Sequence, residues 1–173
     1  MTYTVRNLKT FRSDDGGGFS CILMKDGKRV AEIVNDGNGG CFKFWWDDRQ
    51  TVVDVKALTY DDKPHVYKGS PEEAALWATC MAIPQFESYG IMMSTNPDMF
   101  VEDLVGDLEV EKAVKRLLKH YTILDGEAVL QWKNVTPAQH PKLREHIAAK
   151  YPNAIYLSDI PFADAVKAYK KAQ

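Results

Sequence analysis

The chain has 173 residues, 45% of them hydrophobic and 27% charged, with a formal net charge of -2. These values lie near the averages of globular proteins and exclude a disordered, collagen-like or coiled-coil chain. Three cysteines (Cys21, Cys41, Cys80) without a C-x-x-C spacing do not make a disulfide framework. The amino-terminal MTYTVRNLKTFRSDD lacks an apolar h-region, and no run approaches the roughly 20 apolar residues of a membrane span, so the expectation is an unexported protein of a reducing cytoplasm.

TYTVRNLKTF reads as a strand. In GGGFSCILMKDGKRVAEIV two β-prone runs flank Asp26-Gly27, where both positions tolerate positive φ, and this predicts a type I′ hairpin. Pairing outward from that turn sets Leu23 opposite Val30, Cys21 opposite Glu32 and Phe19 opposite Val34, with Ile22 opposite Ala31 and Met24 opposite Arg29 on the second face. Both faces are then largely apolar, which predicts that at least part of the sheet is covered on both sides. Asn35 to Gly40 turns the chain into CFKFWW, where Phe42, Phe44 and Trp46 share a face, and TVVDVKAL follows as another strand.

Ser70-Pro71-Glu72-Glu73 forms a capping box for a helix through AALWATCMAI that Pro84 ends. Asn96-Pro97-Asp98 opens another helical segment, and Val110, Ala113, Val114, Leu117, Leu118 and Tyr121 follow helical spacing. Asp125-Gly126 repeats the hairpin signal within residues 121–130, and Thr136-Pro137-Ala138-Gln139 caps a helix running to about Lys150. Asn153 to Leu157 is a short strand, and Ser158 or Asp159 caps a last helix with the stripe Phe162, Ala165, Val166 and Tyr169. The pattern is α+β: an N-terminal antiparallel β-meander, then helices with a second short hairpin. It divides into a β-sheet lobe over residues 1–65 and an α+β helical lobe over 66–173, either as two lobes or as one integrated domain.

Charge is segregated. Residues 1–68 sum to +1, residues 69–111 hold nine acids and no Lys or Arg, and residues 112–173 sum to +6. Such blocks create local potentials that attract oppositely charged partners, unless acids and bases meet within the fold. The segment Trp77 to Phe100 lies in the acidic block and concentrates Met81, Met92, Met93 and Met99 with Phe86 and Tyr89. Adaptable methionines and aromatics suit either a core or an interface for a basic partner. Ser88 to Pro97 lacks periodicity and reads as a loop over a groove or a partner.

The first hairpin brings Gly16-Gly17-Gly18 and Asp36-Gly37-Asn38-Gly39-Gly40 to one end of the sheet, where backbone N–H groups suit an anion and Asp14, Asp15, Asp36 and Asn38 suit a cation. Neither pattern is specific. Asp36-x-Asn38 with Asp47 imitates a calcium loop, but Cys41 stands where glycine is required. Asp36 or Asp47 with Asp54-Val55-Lys56 imitates a metal-dependent nuclease, a spacing that recurs cheaply in this chain. His65, His120, His140 and His146 are too scattered for zinc, and the cysteines fall on faces expected to be buried, as small apolar side chains.

GGGF with KDGKRVAEIVNDGNGG, and NAIYLSDIPFADAVKAYKKA near the end, resemble small uncharacterised proteins of tailed bacteriophages. The resemblance brings no catalytic residues. It implies a phage or prophage product in the bacterial cytoplasm, where small proteins without an enzymatic signature often inhibit host machinery, anti-CRISPR and other counter-defence proteins among them. The expectation is a non-enzymatic inhibitor that binds a nucleic-acid-handling host complex through Glu87, Asp98, Glu102, Asp103, Asp107, Glu109 and Glu111, with Met92, Met93 and Phe100 as apolar anchors and neither metal nor cofactor. The alternatives are a nucleic-acid-binding module using Lys112, Lys115, Arg116, Lys119, Lys167, Lys170 and Lys171, and third a metal-dependent nuclease or nucleotide-binding enzyme on the glycine loops.

Overall fold

A computed structural model describes residues 2–14, 16–59, 61–132, 135 and 141–173. The architecture is α+β, and the chain forms two compact units, Met1–Val105 and Gly106–Gln173. The division falls inside a helix and not after residue 65, because the strand and helix that follow residue 65 pack with the strands before it.

In the first unit, β1 (Tyr3–Arg12), β2 (Gly17–Lys25), β3 (Lys28–Asn35) and β4 (Lys43–Trp46) form an antiparallel sheet in that order. The β2–β3 turn has Asp26 at φ 48° and Gly27 at φ 81° between paired Lys25 and Lys28, as a type I′ turn requires. Met24 lies opposite Arg29 as expected, but a bulge beyond that pair shifts the register. Leu23 therefore faces Ala31, Cys21 faces Ile33, and Ile22 faces Glu32. One inserted residue restores an ordinary alternation: Cys21, Leu23, Ala31 and Ile33 are buried, while Glu32 moves to an outer, exposed face. Met24 and Val30, beside the bulge, are buried as well, so that part of the sheet is covered on both sides. Phe44 and Trp46 share the inner face and stack at 5.4 Å, and Phe42 meets Phe19 edge-on at 5.2 Å.

The two glycine loops do meet at the far end of this sheet. Ser13 Oγ donates to the Gly16 carbonyl at 3.0 Å and the Gly37 carbonyl at 2.8 Å. Gly37 has φ 76°, and a Cβ there would lie 2.9 Å from backbone atoms of Gly17 and Gly18, so only glycine fits.

β5 (Val53–Leu58) pairs with β6 (Pro64–Gly69) as a separate hairpin, so the residues around 65 are strand and not linker. α1 (Pro71–Met81) packs on β5, burying Leu76 and Cys80 with Val55 and Ala57. Ser70 Oγ accepts from the Glu73 N–H at 3.1 Å, but the Glu73 carboxylate accepts from Tyr67 Oη at 2.7 Å instead of closing the capping box. β7 (Phe86–Ser88) and β8 (Ile91–Met93) form a further hairpin where a loop was expected. α2 (Pro97–Leu117) then starts at Asn96, whose Oδ1 accepts from the Met99 N–H at 2.9 Å.

α2 passes from one unit into the next, and its apolar stripe changes face on the way. Val101 and Val105 are buried in the first unit and Val114 in the second; at about 100° per residue these positions lie roughly on opposite sides of the helix. In the second unit β9 (Tyr121–Asp125) is flanked by β10 (Ala128–Trp132) and β11 (Ile155–Tyr156). Asp125 pairs with Ala128, so the central turn residues are Gly126 and Glu127, with positive φ at Gly126 (59°), one residue later than expected from the Asp-Gly pair. α3 (Pro141–Lys150) buries Ile147 against Tyr121 and Ile123. The cap expected at Thr136 to Gln139 lies outside the described residues. α4 (Phe162–Lys171) packs Ala165, Val166 and Tyr169 around Val114, Leu124 and Leu157. Its N-cap is Pro161, because Ser158 and Asp159 belong to a 3-10 turn, and Phe162 stays 37% exposed beneath the Lys115 ammonium. No helix among the described residues is long and apolar enough to cross a membrane.

Candidate protein-docking site

The β7–β8 hairpin is the most exposed apolar feature of the first unit. Tyr89 at φ 51° and Gly90 at φ 78° make a tight two-residue turn between Ser88 and Ile91, and Gln85 Nε2 closes the base by donating to Ser94 Oγ at 3.0 Å. Its strands pair with no other strand among the described residues. Tyr89 is 103% exposed, Ile91 65%, Met92 53% and Phe86 37%. Cross-strand register puts Glu87 opposite Met92 on one face and Phe86 opposite Met93, with Ser88 opposite Ile91, on the other. Burying a fully exposed large apolar side chain is worth about 2 kcal/mol, so covering what remains exposed of Tyr89, Ile91 and Met92 gives a gross driving force for association.

The expected site residues separate into groups. Glu87, Met92, Glu102, Asp103 and Glu109 are exposed. Met93 and Phe100 are half-buried, and Phe100 packs edge-on against the buried Tyr3 with ring centroids 5.7 Å apart. Asp98 accepts from the Phe42 N–H at 3.0 Å, and burial raises its carboxyl above the ordinary value while that hydrogen bond lowers it. In the second unit Asp107 is ion-paired with Lys170, and Glu111 lies 3.6 Å from Lys115. The acidic block is thus partly neutralised by the basic tail.

Some of the other cations of that tail are also engaged. Lys167 lies 3.8 Å from Asp164, and Arg116 Nε donates to the Lys112 carbonyl at 3.3 Å, leaving Lys112, Lys119 and Lys171 exposed. In the glycine loops the Asp36 carboxylate is held by Lys43 at 3.0 Å and the Asn38 N–H at 3.2 Å, which favours its ionised form and lowers its pKa below the ordinary carboxylate value. Asp47 pairs with Arg29 at 3.1 Å and Asp54 with Lys68 at 2.7 Å, each a local cross-strand contact. Among the described residues no three His, Cys, Asp or Glu side chains come together as a metal site. Cys21 and Cys80 are buried, and burial pushes their thiols up to about 11 and about 12, whereas Cys41, expected on a buried face, is exposed.

The sequence pointed to Met92 and Glu87 but missed Tyr89 and Ile91 as neighbours on a hairpin. The available signal was Gly90, whose positive φ allows the second position of a two-residue turn. Compared with family models, curated proteins and solved structures, the chain matches none.

Proposed function

We propose that this is a non-enzymatic binding protein that docks on a partner protein with a basic surface. The observation that carries the reading is the β7–β8 hairpin, which holds Tyr89, Ile91 and Met92 in solvent within a stretch, residues 69–111, that contains no Lys or Arg. Aromatic and methionine side chains supply the apolar centre of an interface, and the exposed carboxylates of Glu87, Glu102 and Asp103 in the same unit steer a cationic surface toward it. Asp98, Asp107, Glu111 and Phe100 are left out because internal partners occupy them. The resemblance to small phage proteins favours inhibition of a host complex, a nucleic-acid-handling defence assembly with its cationic surface being the partner class that fits.

Two sets of variants test this. Reversing Glu87, Glu102 and Asp103 to lysine is expected to slow association and reverse the sign of its salt dependence, while the melting temperature stays near that of the parent protein. Replacing Tyr89, Ile91 and Met92 with serine is expected to accelerate dissociation. Capture of the same proteins from bacterial lysate by both variants at parental levels rejects the reading.

A further inference from the structure

The outer face of the β1–β4 sheet carries a second surface that the hairpin reading does not use. By register, Arg6, Ile22, Glu32 and Trp45 form one row across the four strands, and Lys9, Ser20, Val34 and Lys43 form the next. Arg6 and Lys9 are three residues apart, so a regular strand would send them to opposite faces. A bulge between them, with Asn7 at φ 53°, inserts one residue and puts both cations on the outer face. A non-glycine residue in the left-handed region is uncommon, which makes this bulge a feature to account for. The bulge also opens a shallow cavity of about 350 Å³ lined by Asn7, Leu8, Lys9, Ser20, Ile22 and Glu32.

Aromatic rings stand at two corners of the same face. Trp45 is 41% exposed on β4, and Phe11 is 43% exposed on β1, with its ring occupying the space that a Cβ of residue 18 would take. Gly18 is therefore what lets the ring lie against the sheet. From strand spacing and rise, the two rings are about 19 Å apart on the diagonal, with Lys9 and the cavity between them. Lys43 is paired with Asp36, and Arg29 with Glu32 and Asp47, whereas Arg6 and Lys9 make no ion pair among the described residues.

We infer that this face binds single-stranded nucleic acid. Unpaired Arg6 and Lys9 contact phosphates along the edge strand, bases stack on Phe11 and Trp45, and the polar groups of Asn7, Ser20 and Glu32 meet base edges in the cavity. Free cations beside exposed rings suit a ligand that alternates phosphates and flat bases, whereas a purely apolar or a cationic partner would leave Arg6 and Lys9 unmatched. The surface differs from the basic tail, where Lys115, Lys167 and Lys170 are paired within their own unit.

The test is fluorescence anisotropy of a short fluorescein-labelled oligouridylate and its oligodeoxythymidylate counterpart, titrated with the full chain at low salt. Binding of either by the parent protein is expected, with unlabelled duplex a poor competitor. The Arg6→Glu/Lys9→Glu variant should bind at least about tenfold more weakly, and charge removal by alanine at both positions should flatten the logarithmic salt dependence by about 1.4. Trp45→Ala should weaken binding roughly tenfold. Lys9→Glu alone, an exposed change, guards against misfolding of the double variant, and Lys112→Glu/Lys119→Glu should bind as the parent does. No anisotropy change with the parent protein overturns the inference, as does equal competition by duplex. Loss on charge reversal without any effect of Trp45→Ala overturns it too, because that marks a site for any polyanion.

Discussion

Two hairpins of the first unit share one turn geometry and have opposite fates. The β2–β3 hairpin turns at Asp26-Gly27 and the β7–β8 hairpin at Tyr89-Gly90, each with two consecutive residues at positive φ. The first has strands of nine and eight residues and leaves Leu23, Ala31 and Ile33 at 0% exposure. The second has strands of three residues and leaves Tyr89 and Ile91 in solvent. A turn thus fixes where the chain reverses, and what each face meets decides whether the hairpin builds a core or presents a surface. Short hairpins are marginal by themselves, and the proposed docking gives the exposed apolar residues of this one a surface that covers them.

The sharpest break in that comparison is in core truncation. Leu23→Ala is expected to cost about 2–5 kcal/mol of unfolding free energy, whereas Ile91→Ala should change it by less than about 0.5 kcal/mol; denaturant midpoints read both. A large loss at Ile91 would make the second hairpin part of the core. Next comes the turn itself. Gly27→Val should destabilise the fold by more than about 1 kcal/mol, because valine opposes positive φ in a turn on which long strands depend. Gly90→Val imposes the same local strain but should move the global midpoint less, since only a three-residue ladder depends on it. Gly126→Val, at φ 59°, tests the second unit in the same way and should also cost more than about 1 kcal/mol.

Thiol chemistry gives a smaller, cleaner readout. At pH 8 the exposed Cys41 should react rapidly with a thiol reagent, while Cys21 and Cys80, protonated by burial and inaccessible, react only on unfolding. Fast reaction of more than one thiol in the folded protein would contradict the inner-face placement that buries Cys21 or the packing of α1 that buries Cys80. The smallest effect concerns Asp98. Its folded carboxyl titrates above the unfolded one, so the folded state holds the proton more tightly and stability falls as pH rises through that window. Asp98→Asn should remove this decline, and a parental pH–stability profile in the variant would place the carboxyl outside the fold.

The fold class, the Asp26-Gly27 turn, the strand bearing Phe44 and Trp46, and the Ser70 cap were legible because each depends on neighbours in sequence. The β3 bulge was not, since one inserted residue is invisible to alternation and moves Glu32 from inner to outer face. β6 was hidden by its flanking Pro64 and Gly69, and β7–β8 by strands too short to show a period. Of the candidate site, Glu87, Met92, Glu102 and Asp103 were readable from composition. The loss of Asp107 and Glu111 to Lys170 and Lys115 depends on pairing that no charge count reveals, most plainly for Asp107, whose partner is 63 positions away in sequence.

The docking reading is tested most directly by placing a photo-crosslinking phenylalanine analogue at Tyr89 and, as a control on another exposed position, at Val66, in bacterial cells expressing the full chain. The account predicts a discrete crosslinked partner with a basic surface at position 89 and not at 66, lost when Glu102 and Asp103 are both changed to lysine. Crosslinks that are equal at the two positions, or unchanged by the charge reversal, contradict it.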